Sequence, residues 1–361
     1  MSLQKLDIFN VRNIRQASLQ PSPGLNLIYG ANASGKSSVL EAIFILGRAR
    51  SFRTTHFKQV VNFDRNDLIV SGKVLQQGGR SSCQLGVQFD GKVSEIRIQQ
   101  LPNQPRHLLA YALPIQLIEP KSYRLLDTGP QIRREFIDWG TFNENEQFLL
   151  AWRQYKTALN QRNALIKQRQ RQTHSIQVWN NEMVNYGTIV DQYRRAYLQR
   201  LEPVFQEFVS RFLGTETVQF DYLSGWDSGK GFRQSLDDDL DRDLRYKMTH
   251  SGPHRADLTV LVNNRLAKDF VSRGQLKLLV LCLKLAQVQL LSTHQSNNVC
   301  VLIDDLTAEL DITKRSLLIE YLQAMDVQVF MTATELSEYG DLSKLKNYKM
   351  FHVEHGEIKQ A

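Results

Sequence analysis

A glycine-rich loop between an apolar strand and a helical segment constrains the fold of this chain more than any other feature. Residues 30–37 read Gly-Ala-Asn-Ala-Ser-Gly-Lys-Ser, which fits the pattern GxxxxGK[ST] at every fixed position. The apolar run 25–29 precedes the loop, and the helix-forming run 38–46 follows it. This order predicts an α/β fold in which the loop binds a polyphosphate.

The residue types in the loop predict how the polyphosphate is held. The two glycines let the backbone turn its N–H groups inward, and the helix N-terminus adds partial positive charge. We expect Lys36 to contact the β- and γ-phosphates and the Ser37 hydroxyl to ligate Mg²⁺. The expected phosphate-binding residues are Gly30, Ala31, Asn32, Ala33, Ser34, Gly35, Lys36, Ser37 and Ser38.

Length and cysteine content limit the class of protein. With 361 residues, the chain is long enough for a large core and two or more lobes. Cys83, Cys282 and Cys300 are scattered and form no CxxC pair, so neither a disulfide framework nor a zinc site is indicated. No signal-peptide pattern is present, and no apolar run approaches the ~20 residues of a membrane span. These features predict a cytoplasmic protein.

The charge is basic and unevenly distributed. A net charge of +8 and a pI near 9.3 favour a polyanionic partner, although a solvated basic surface gives the same values. Segment 48–58 holds four cations and no acid, and residues 151–211 hold ten Lys or Arg against four Asp or Glu. Five Asp lie between 237 and 243, where a solvated helix start is favoured over a metal site.

The chain divides into three predicted segments. Residues 1–125 predict the N-terminal part of an α/β lobe, with an antiparallel meander between residues 68 and 98. Residues 126–248 predict a helical lobe, and residues 249–361 return to α/β character. In the helical lobe we expect two long antiparallel helices joined by a polar tip at 168–175, with Pro203 kinking or breaking the second helix.

A second apolar strand ends in two acids. The run 299–303 is followed by Asp304 and Asp305, which is the Walker B arrangement. Asp304 is expected to hold Mg²⁺ opposite Ser37, and Asp305 to orient a water molecule towards the γ-phosphate. Together with Lys36, these acids are the candidate catalytic residues.

Two further motifs resemble those of ABC-type ATPases. Residues 270–277 (FVSRGQLK) resemble the signature motif of that superfamily, and residues 308–311 (AELD) resemble its D-loop. The signature lies at a helix start, where a hydroxyl and backbone N–H groups bind anions. In the superfamily it contacts the nucleotide of the other subunit, so the resemblance implies an ATP-sandwiched homodimer. The ATP contacts implied are Ser272, Arg273, Gly274, Gln275 and Asp311.

Within that superfamily the chain resembles the RecF family, in the SMC/Rad50-like branch. The segments that carry the resemblance are 9–13 (FNVRN), 30–54, 251–258 (SGPHRADL), 272–279 (SRGQLKLL) and 301–311 (VLIDDLTAELD). The resemblance implies an ABC-type ATPase head, formed by a P-loop lobe with an antiparallel β subdomain. A helical lobe is inserted between the Walker A loop and the signature motif. It also adds Arg12 to the nucleotide contacts.

The function implied by the resemblance is an ATP- and Mg²⁺-dependent recombination and repair protein. It would dimerise on ATP, bind duplex DNA beside single-stranded gaps, and work with RecR, and indirectly RecO, to load RecA. The expected DNA contacts are Arg48, Arg50, Arg53 and Lys58, with the basic helical lobe at 162–171 as the alternative surface. A transport ATPase subunit and a non-hydrolysing DNA clamp are the competing functions.

The chain departs from the wider superfamily at several positions. Asp305 replaces the usual glutamate, which suggests slow hydrolysis. No switch histidine follows the strand at 327–331, and Thr332 is the nearest substitute. Gln116 matches the Q-loop by position, with a buried strand-end glutamine as the alternative. His254 and Arg255 are placed either near the phosphates or the dimer contact, or in a turn held by Gly252 and Pro253.

Overall fold

The computed structural model describes residues 2–76, 81–168, 173–214, 217–293, 299–305 and 310–361. These residues form two compact units: residues 1–121 with 291–361, and residues 122–290. The second unit holds residues 249–290, which the sequence had grouped with the last α/β segment. Residues 169–172 of the predicted polar tip, and Ala308 and Glu309 of the D-loop, lie outside the described residues.

The strands, in chain order, are β1 (Ser2–Val11), β2 (Ile14–Leu19), β3 (Leu25–Tyr29), β4 (Leu68–Leu75), β5 (Ser82–Phe89), β6 (Ser94–Ile98), β7 (Ile115–Ile118), β8 (Val218–Leu223), β9 (Asp257–Val262), β10 (Arg265–Leu266), β11 (Cys300–Ile303), β12 (Gln328–Ala333), β13 (Tyr348–Glu354) and β14 (Glu357–Gln360).

The α-helices are α1 (Lys36–Arg48), α2 (Arg106–Ala112), α3 (Arg124–Asp127), α4 (Pro130–Glu144), α5 (Glu146–Lys167), α6 (Thr173–Leu213), α7 (Gly231–Asp238), α8 (Leu240–Tyr246), α9 (Ala267–Phe270), α10 (Arg273–Thr293) and α11 (Ile312–Ala324).

The first unit is built on a mostly parallel sheet of order β14-β13-β3-β12-β11-β7. Only β14, at one edge, runs antiparallel to its neighbour. The central strands β11 and β12 are buried along their whole length, as their continuous apolar sequences predict. Because β3, β11 and β12 are parallel, the residues that follow Tyr29, Ile303 and Ala333 meet at one edge of the sheet.

A second sheet of the same unit is antiparallel, with order β2-β1-β4-β5-β6. It contains the predicted meander, since β4 pairs with β5 and β5 pairs with β6. Helix α1 packs between the two sheets: Ile43 belongs to the same buried core as Leu6 of β1 and Phe330 of β12. The phosphate-loop helix is therefore fixed on both sides.

In the second unit, α5 and α6 form the predicted helical hairpin. Arg162 of α5 donates to Asn180 of α6, and Tyr193 of α6 donates to Gln147 of α5. The end of α5 therefore lies beside the early part of α6, and the start of α5 beside a later part, so the two helices are antiparallel. Helix α6 continues through Pro203 without a break. A three-stranded sheet of order β10-β9-β8 completes this unit.

One member of the acidic cluster departs from the solvated helix start that was expected: Asp237, Asp238 and Asp241 are exposed, but Asp243 is not. Asp243 is fully buried, and its Oδ2 lies 2.6 Å from Nη1 of Arg162, which is also fully buried. Removing either partner would leave an uncompensated buried charge, so this pair is structural. Arg162 is therefore unavailable to the alternative DNA surface at 162–171. Among the described residues, no group of three or more His, Cys, Asp or Glu is placed to hold a metal ion.

Helix α10 is the one described helix that is long and apolar enough to cross a membrane by length and composition. The sequence had suggested no run of that length. Of its most apolar window, 72% is buried inside the protein. That burial is typical of a core helix.

Candidate nucleotide-binding site

A cleft of about 480 Å³ opens at the carboxyl edge of the parallel sheet. It brings together the phosphate loop, the two acids after β11 and the end of β12, as the sequence predicts. Its lining residues are Arg12, Asn13, Asn32, Ala33, Gly35, Lys36, Ser37, Ser38, Arg53, Asp304, Asp305 and Thr332.

The backbone of the phosphate loop requires glycine at both ends. Gly30 has φ 153° and Gly35 has φ 122°, values that residues with a side chain rarely adopt. A Cβ on Gly30 would lie 2.2 Å from the Val353 carbonyl oxygen, and one on Gly35 would lie 2.9 Å from Asn13 Nδ2. Gly30 therefore permits close approach of the Val353 backbone at the start of the loop, and Gly35 permits close approach of the Asn13 side chain where the loop enters α1.

Lys36 lies along its own loop. Its Nζ donates to the carbonyl oxygens of Gly30 at 2.7 Å and Ala31 at 2.9 Å. Burial lowers the pKa of Lys36, and the nearby carboxylates of Asp305 and Asp304 oppose that shift. The ammonium thus stands between the loop and the acids, at the position where phosphate oxygens would replace the carbonyls as its partners.

Asp304 is the centre of a hydrogen-bonded group. Its Oδ1 accepts from the Ser37 hydroxyl at 2.9 Å and from the Thr332 hydroxyl at 2.9 Å. The Thr332 hydroxyl in turn accepts from the Asp305 backbone N–H at 2.9 Å. Asp305 has φ 49°, so its backbone turns sharply after β11. Thr332 thus contacts the carboxylate of Asp304 and the backbone of Asp305. That it substitutes for the superfamily's switch histidine stays a prediction.

Asn13 fixes the phosphate loop from the β1–β2 turn. Its Nδ2 donates to the Ser34 carbonyl at 2.8 Å, and its Oδ1 accepts from the Ser38 hydroxyl at 3.0 Å. No local pattern marks this role of Asn13, although the residue lies in the segment FNVRN that carries the family resemblance. Its amide therefore ties the phosphate loop to the first turn of α1.

Arg12 is tied to α1 by a buried carboxylate. Its Nε and Nη2 donate to the two oxygens of Glu41 at 2.8 and 2.9 Å, and Glu41 is fully buried. The same Glu41 accepts from the Ser51 hydroxyl at 2.5 Å. The Ser51 hydroxyl accepts from the backbone N–H of Arg53, which lines the cleft. Glu41 thus positions both arginines, a role that only tertiary contacts reveal.

The four predicted DNA contacts differ in how exposed they are in the structure. Arg48 is partly buried: its Nη2 donates to the Ile115 carbonyl at 2.9 Å, and burial, assisted by the charge of Arg50, lowers its pKa to about 9, so a contact from Arg48 to DNA stays a prediction. Arg53 is exposed and faces the nucleotide cleft. Arg50 and Lys58 are exposed and remain candidate phosphate contacts.

The signature residues lie at the start of α10, in the second unit. Four of them are exposed: Ser272, Arg273, Gly274 and Gln275. The Ser272 hydroxyl accepts from the Gln275 backbone N–H at 3.2 Å, and the Gln275 side chain accepts from the Ser272 N–H at 2.9 Å. This reciprocal pair is a capping box. It presents a rigid helix start to solvent.

Asp311 of the D-loop motif caps α11. Its Oδ1 accepts from the Lys314 backbone N–H at 2.9 Å, and its Oδ2 lies 3.0 Å from the Lys314 ammonium. These hydrogen bonds lower the pKa of Asp311. A contact from Asp311 to nucleotide stays a prediction.

Neither Gln116 nor His254 is among the described residues that line the cleft. Gln116 is buried within β7. His254 Nδ1 lies 2.6 Å from the Tyr155 hydroxyl and its Nε2 lies 3.0 Å from the Thr249 carbonyl. Gly252, with φ 138°, starts the short helical turn Pro253–Arg255. His254 therefore has a structural place in that turn, and Arg255 is exposed beside it.

Comparisons with known proteins agree with this geometry. The family model described as "RecF/RecN/SMC N terminal domain" matches residues 2–359. The DNA replication and repair protein RecF of Shewanella denitrificans is 40% identical over 358 residues, which cover 99% of this chain and 99% of that protein. The RecF of Shewanella frigidimarina is also 40% identical over 358 residues, covering 99% of this chain and 98% of its own length.

Solved structures show the same fold. A structure described as the recombination mediator protein RecF with ATP, in the RecFOR pathway, has a TM-score of 0.87 and 25% identity, covering 99% of this chain and 97% of that chain. An Smc head bound to the C-terminal winged-helix domain of ScpA has a TM-score of 0.63 at 11% identity, covering 100% of this chain and 97% of that chain, and so shares the fold alone. The predicted ABC-type ATPase head is confirmed. From end to end, the chain belongs to the RecF family.

Proposed function

We propose that this protein is an ATP- and Mg²⁺-dependent DNA-binding recombination mediator that dimerises when it binds ATP. One observation carries the proposal: the Ser37 hydroxyl and the Asp304 carboxylate meet at 2.9 Å beside the phosphate loop, although 267 positions separate them in the chain. A phosphate-loop hydroxyl beside a strand-end carboxylate is the metal-binding arrangement of P-loop NTPases.

The residues present fit Mg²⁺. The ion prefers oxygen ligands and is usually bound by one or two protein groups plus the phosphates and water, which Ser37 and Asp304 suit. When bound with ATP, the ion would neutralise charge on the β- and γ-phosphates. In this proposal, Lys36 binds the same phosphates, Arg12 and Arg53 flank them, and Asp305 orients the attacking water.

Hydrolysis is proposed to be slow. The Asp305 carboxylate is one methylene shorter than the glutamate usual at this position, so it would hold a water molecule less closely. Thr332 fixes the backbone of Asp305 through its N–H, which limits how far that carboxylate can move towards the nucleotide. ATP binding would thus hold the protein in its dimeric state, and hydrolysis would end that state.

The relatives of this chain support the proposed role in DNA recombination and repair. Proteins that match over the whole length are named for DNA replication and repair, and one matching structure is described with ATP in the RecFOR pathway. The proposal gives this chain duplex DNA beside single-stranded gaps as its ligand, RecR as its direct partner, RecO and RecA as indirect partners, and the cytoplasm as its location. The basic charge of the chain supports the nucleic-acid partner.

Nucleotide titration of Lys36→Ala tests the site. We expect the affinity for ATP to fall by about a hundredfold or more, because the charge-assisted hydrogen bonds to the phosphates are lost. Lys359→Ala, on the exposed strand β14, is the matched control and should bind as the parent does. Asp304→Asn should keep measurable binding but lose Mg²⁺-dependent phosphate release. If Lys36→Ala binds ATP with the parent's affinity, the cleft is not the nucleotide site.

A further inference from the structure

A second concave surface of the first unit lies next to the nucleotide cleft. This surface, called here the basic groove, has a volume of about 1070 Å³. It is formed by the β1–β2 turn, the segment 58–66 and the β5–β6 turn, and it shares Arg12 and Asn13 with the nucleotide cleft. None of the roles argued above uses the groove as a whole.

The most unusual feature of the groove is Phe63, whose side chain is 100% exposed. The turn that carries it is firmly anchored by the buried Asn62. The Asn62 N–H donates to the Asn10 carbonyl at 2.8 Å, its Nδ2 donates to the Arg12 carbonyl at 2.6 Å, and its own carbonyl accepts from the Arg65 N–H at 3.0 Å. A fixed turn therefore presents a large aromatic ring entirely to solvent, where the ring contributes nothing to the core.

The charges around Phe63 are mostly positive. Lys58, Arg65 and Lys92 line the groove and are exposed. Asp90 is the carboxylate that opposes them, and hydrogen bonds from the N–H groups of Val93 and Lys92 lower its pKa, so it is ionised at neutral pH.

Two other groove arginines add little to this balance, because each has a partner. Arg12 is bound by Glu41. Arg15 lies 2.9 Å from Asp64 in an exposed pair. The three remaining cations against one carboxylate suit a polyanionic ligand.

An exposed aromatic ring among cations fits one class of polyanion in particular. Unpaired bases stack on aromatic side chains while Lys and Arg contact the phosphates, and this pairing is typical of single-strand binding sites. The bases of a duplex are already stacked on one another and cannot use the ring. We propose that the basic groove binds single-stranded nucleic acid, with an unpaired base stacked on Phe63.

This inference rests on the proposed function and assigns the duplex and the single strand to different kinds of contact. Contacts to phosphates alone position a duplex and carry no preference for a gap. A stacking residue supplies that preference, because only the single-stranded side of a junction offers a free base. The groove would thus distinguish a gap from continuous duplex.

The test compares Phe63→Ala with the parent on three labelled probes: poly(dT), a blunt duplex, and a duplex with a single-stranded tail. We expect affinity for poly(dT) and for the tailed duplex to fall by about fivefold to a hundredfold, with the blunt duplex unchanged. Phe63→Tyr should restore binding, since it keeps the ring. Leu150→Ala, which removes an apolar side chain that is 62% exposed in the second unit, is the control and should bind all three probes as the parent does.

Charge is tested separately with Arg65→Gln combined with Lys92→Gln. The slope of log affinity for poly(dT) against log salt should flatten by about 1.4, because two phosphate contacts are lost from a single strand. Affinity for ATP should stay at the parent's value in both this variant and Phe63→Ala.

Three results would overturn the inference. The first is equal binding of all probes by Phe63→Ala and the parent. The second is an equal loss on blunt and tailed duplex, which would exclude stacking of a free base. The third is weakened ATP binding in Phe63→Ala, which would assign the groove to the nucleoside of the bound nucleotide. A parent protein that binds ATP but none of the three probes would contradict the proposed DNA function itself, and the groove's assignment with it.

Discussion

At the scale of single residues, Thr332 distinguishes this site from the usual ABC-type arrangement. Its hydroxyl donates to Asp304 and accepts from the Asp305 N–H, so one side chain orients both acids. Thr332 is almost completely buried. An isosteric change there should therefore disturb the acids without changing the shape of the core.

We predict that Thr332→Val slows hydrolysis at least about tenfold while ATP affinity changes less than about threefold. Removing the hydroxyl leaves the part-buried Asp305 N–H without its protein acceptor, at a cost of about 0.5–1.5 kcal/mol in unfolding free energy. Phosphate release and ATP titration measure the two effects, and Thr332→Ser, which keeps the hydroxyl, is the matched control. Unchanged hydrolysis in Thr332→Val would show that Thr332 does not hold the acids for catalysis.

Residue chemistry also explains what the sequence could not show about three arginines. Arg48 lies in a segment free of acids, which favours a solvated cation, yet its helix ends against β7 and its guanidinium binds the Ile115 carbonyl. Arg12 and Arg53 are brought to the same cleft by Glu41, a residue whose helical position gives no sign of such a role. These contacts join residues distant in the chain, so no local pattern encodes them.

At the scale of secondary-structure elements, the phosphate-loop helix and the central strands could be predicted, because their apolar runs are continuous and the loop motif fixes their order. Strand β13 was missed. Its seven residues are only partly buried, and it belongs to the sheet by pairing with β3, more than 300 positions earlier. Pro203 was expected to disturb α6, but the helix continues through it. The residues on either side of Pro203 contact β8: Glu202 accepts from the Phe220 N–H at 2.6 Å, and the Phe205 ring stacks on that of Phe220.

The turn before β9 carries a prediction about pH. Burial lowers the pKa of His254 to about 4, and the charges of Arg255, Lys156 and Arg134 act in the same direction. The unfolded chain binds a proton near pH 6.5, where the folded chain does not, so stability from neutral His254 is present above that pH and is lost as pH falls towards 4. We expect this loss to reach about 2–3 kcal/mol.

Urea unfolding at pH 7 and at pH 4.5 checks this. His254→Gln should lose less stability than the parent over that interval, because it has no group to protonate, whereas the exposed His355→Asn should follow the parent. The same loss in His254→Gln and the parent would mean that other groups cause the acid sensitivity.

At the scale of the whole molecule, the exposed signature residues require a second copy if they are to contact nucleotide as in the superfamily. Ser272 is the N-cap residue of α10, and it is exposed to solvent in the single chain. We predict that Ser272→Arg binds ATP with the parent's affinity but shows no increase in mass with ATP, because the larger charged side chain would meet the partner's nucleotide. Sedimentation with ATP, with ADP and without nucleotide measures this. A variant that dimerises as the parent does would exclude the sandwiched dimer.

Taken together, these observations lead us to expect that ATP closes a dimer of this protein onto DNA. The affinity for gapped duplex, measured with ATP, with ADP and without nucleotide for both the parent and Ser272→Arg, tests this directly. The account predicts that the parent binds at least about tenfold more tightly with ATP than in the other two conditions, and that Ser272→Arg shows no such gain. Equal affinity of the parent in all three conditions, or an undiminished ATP effect in Ser272→Arg, would contradict the claim.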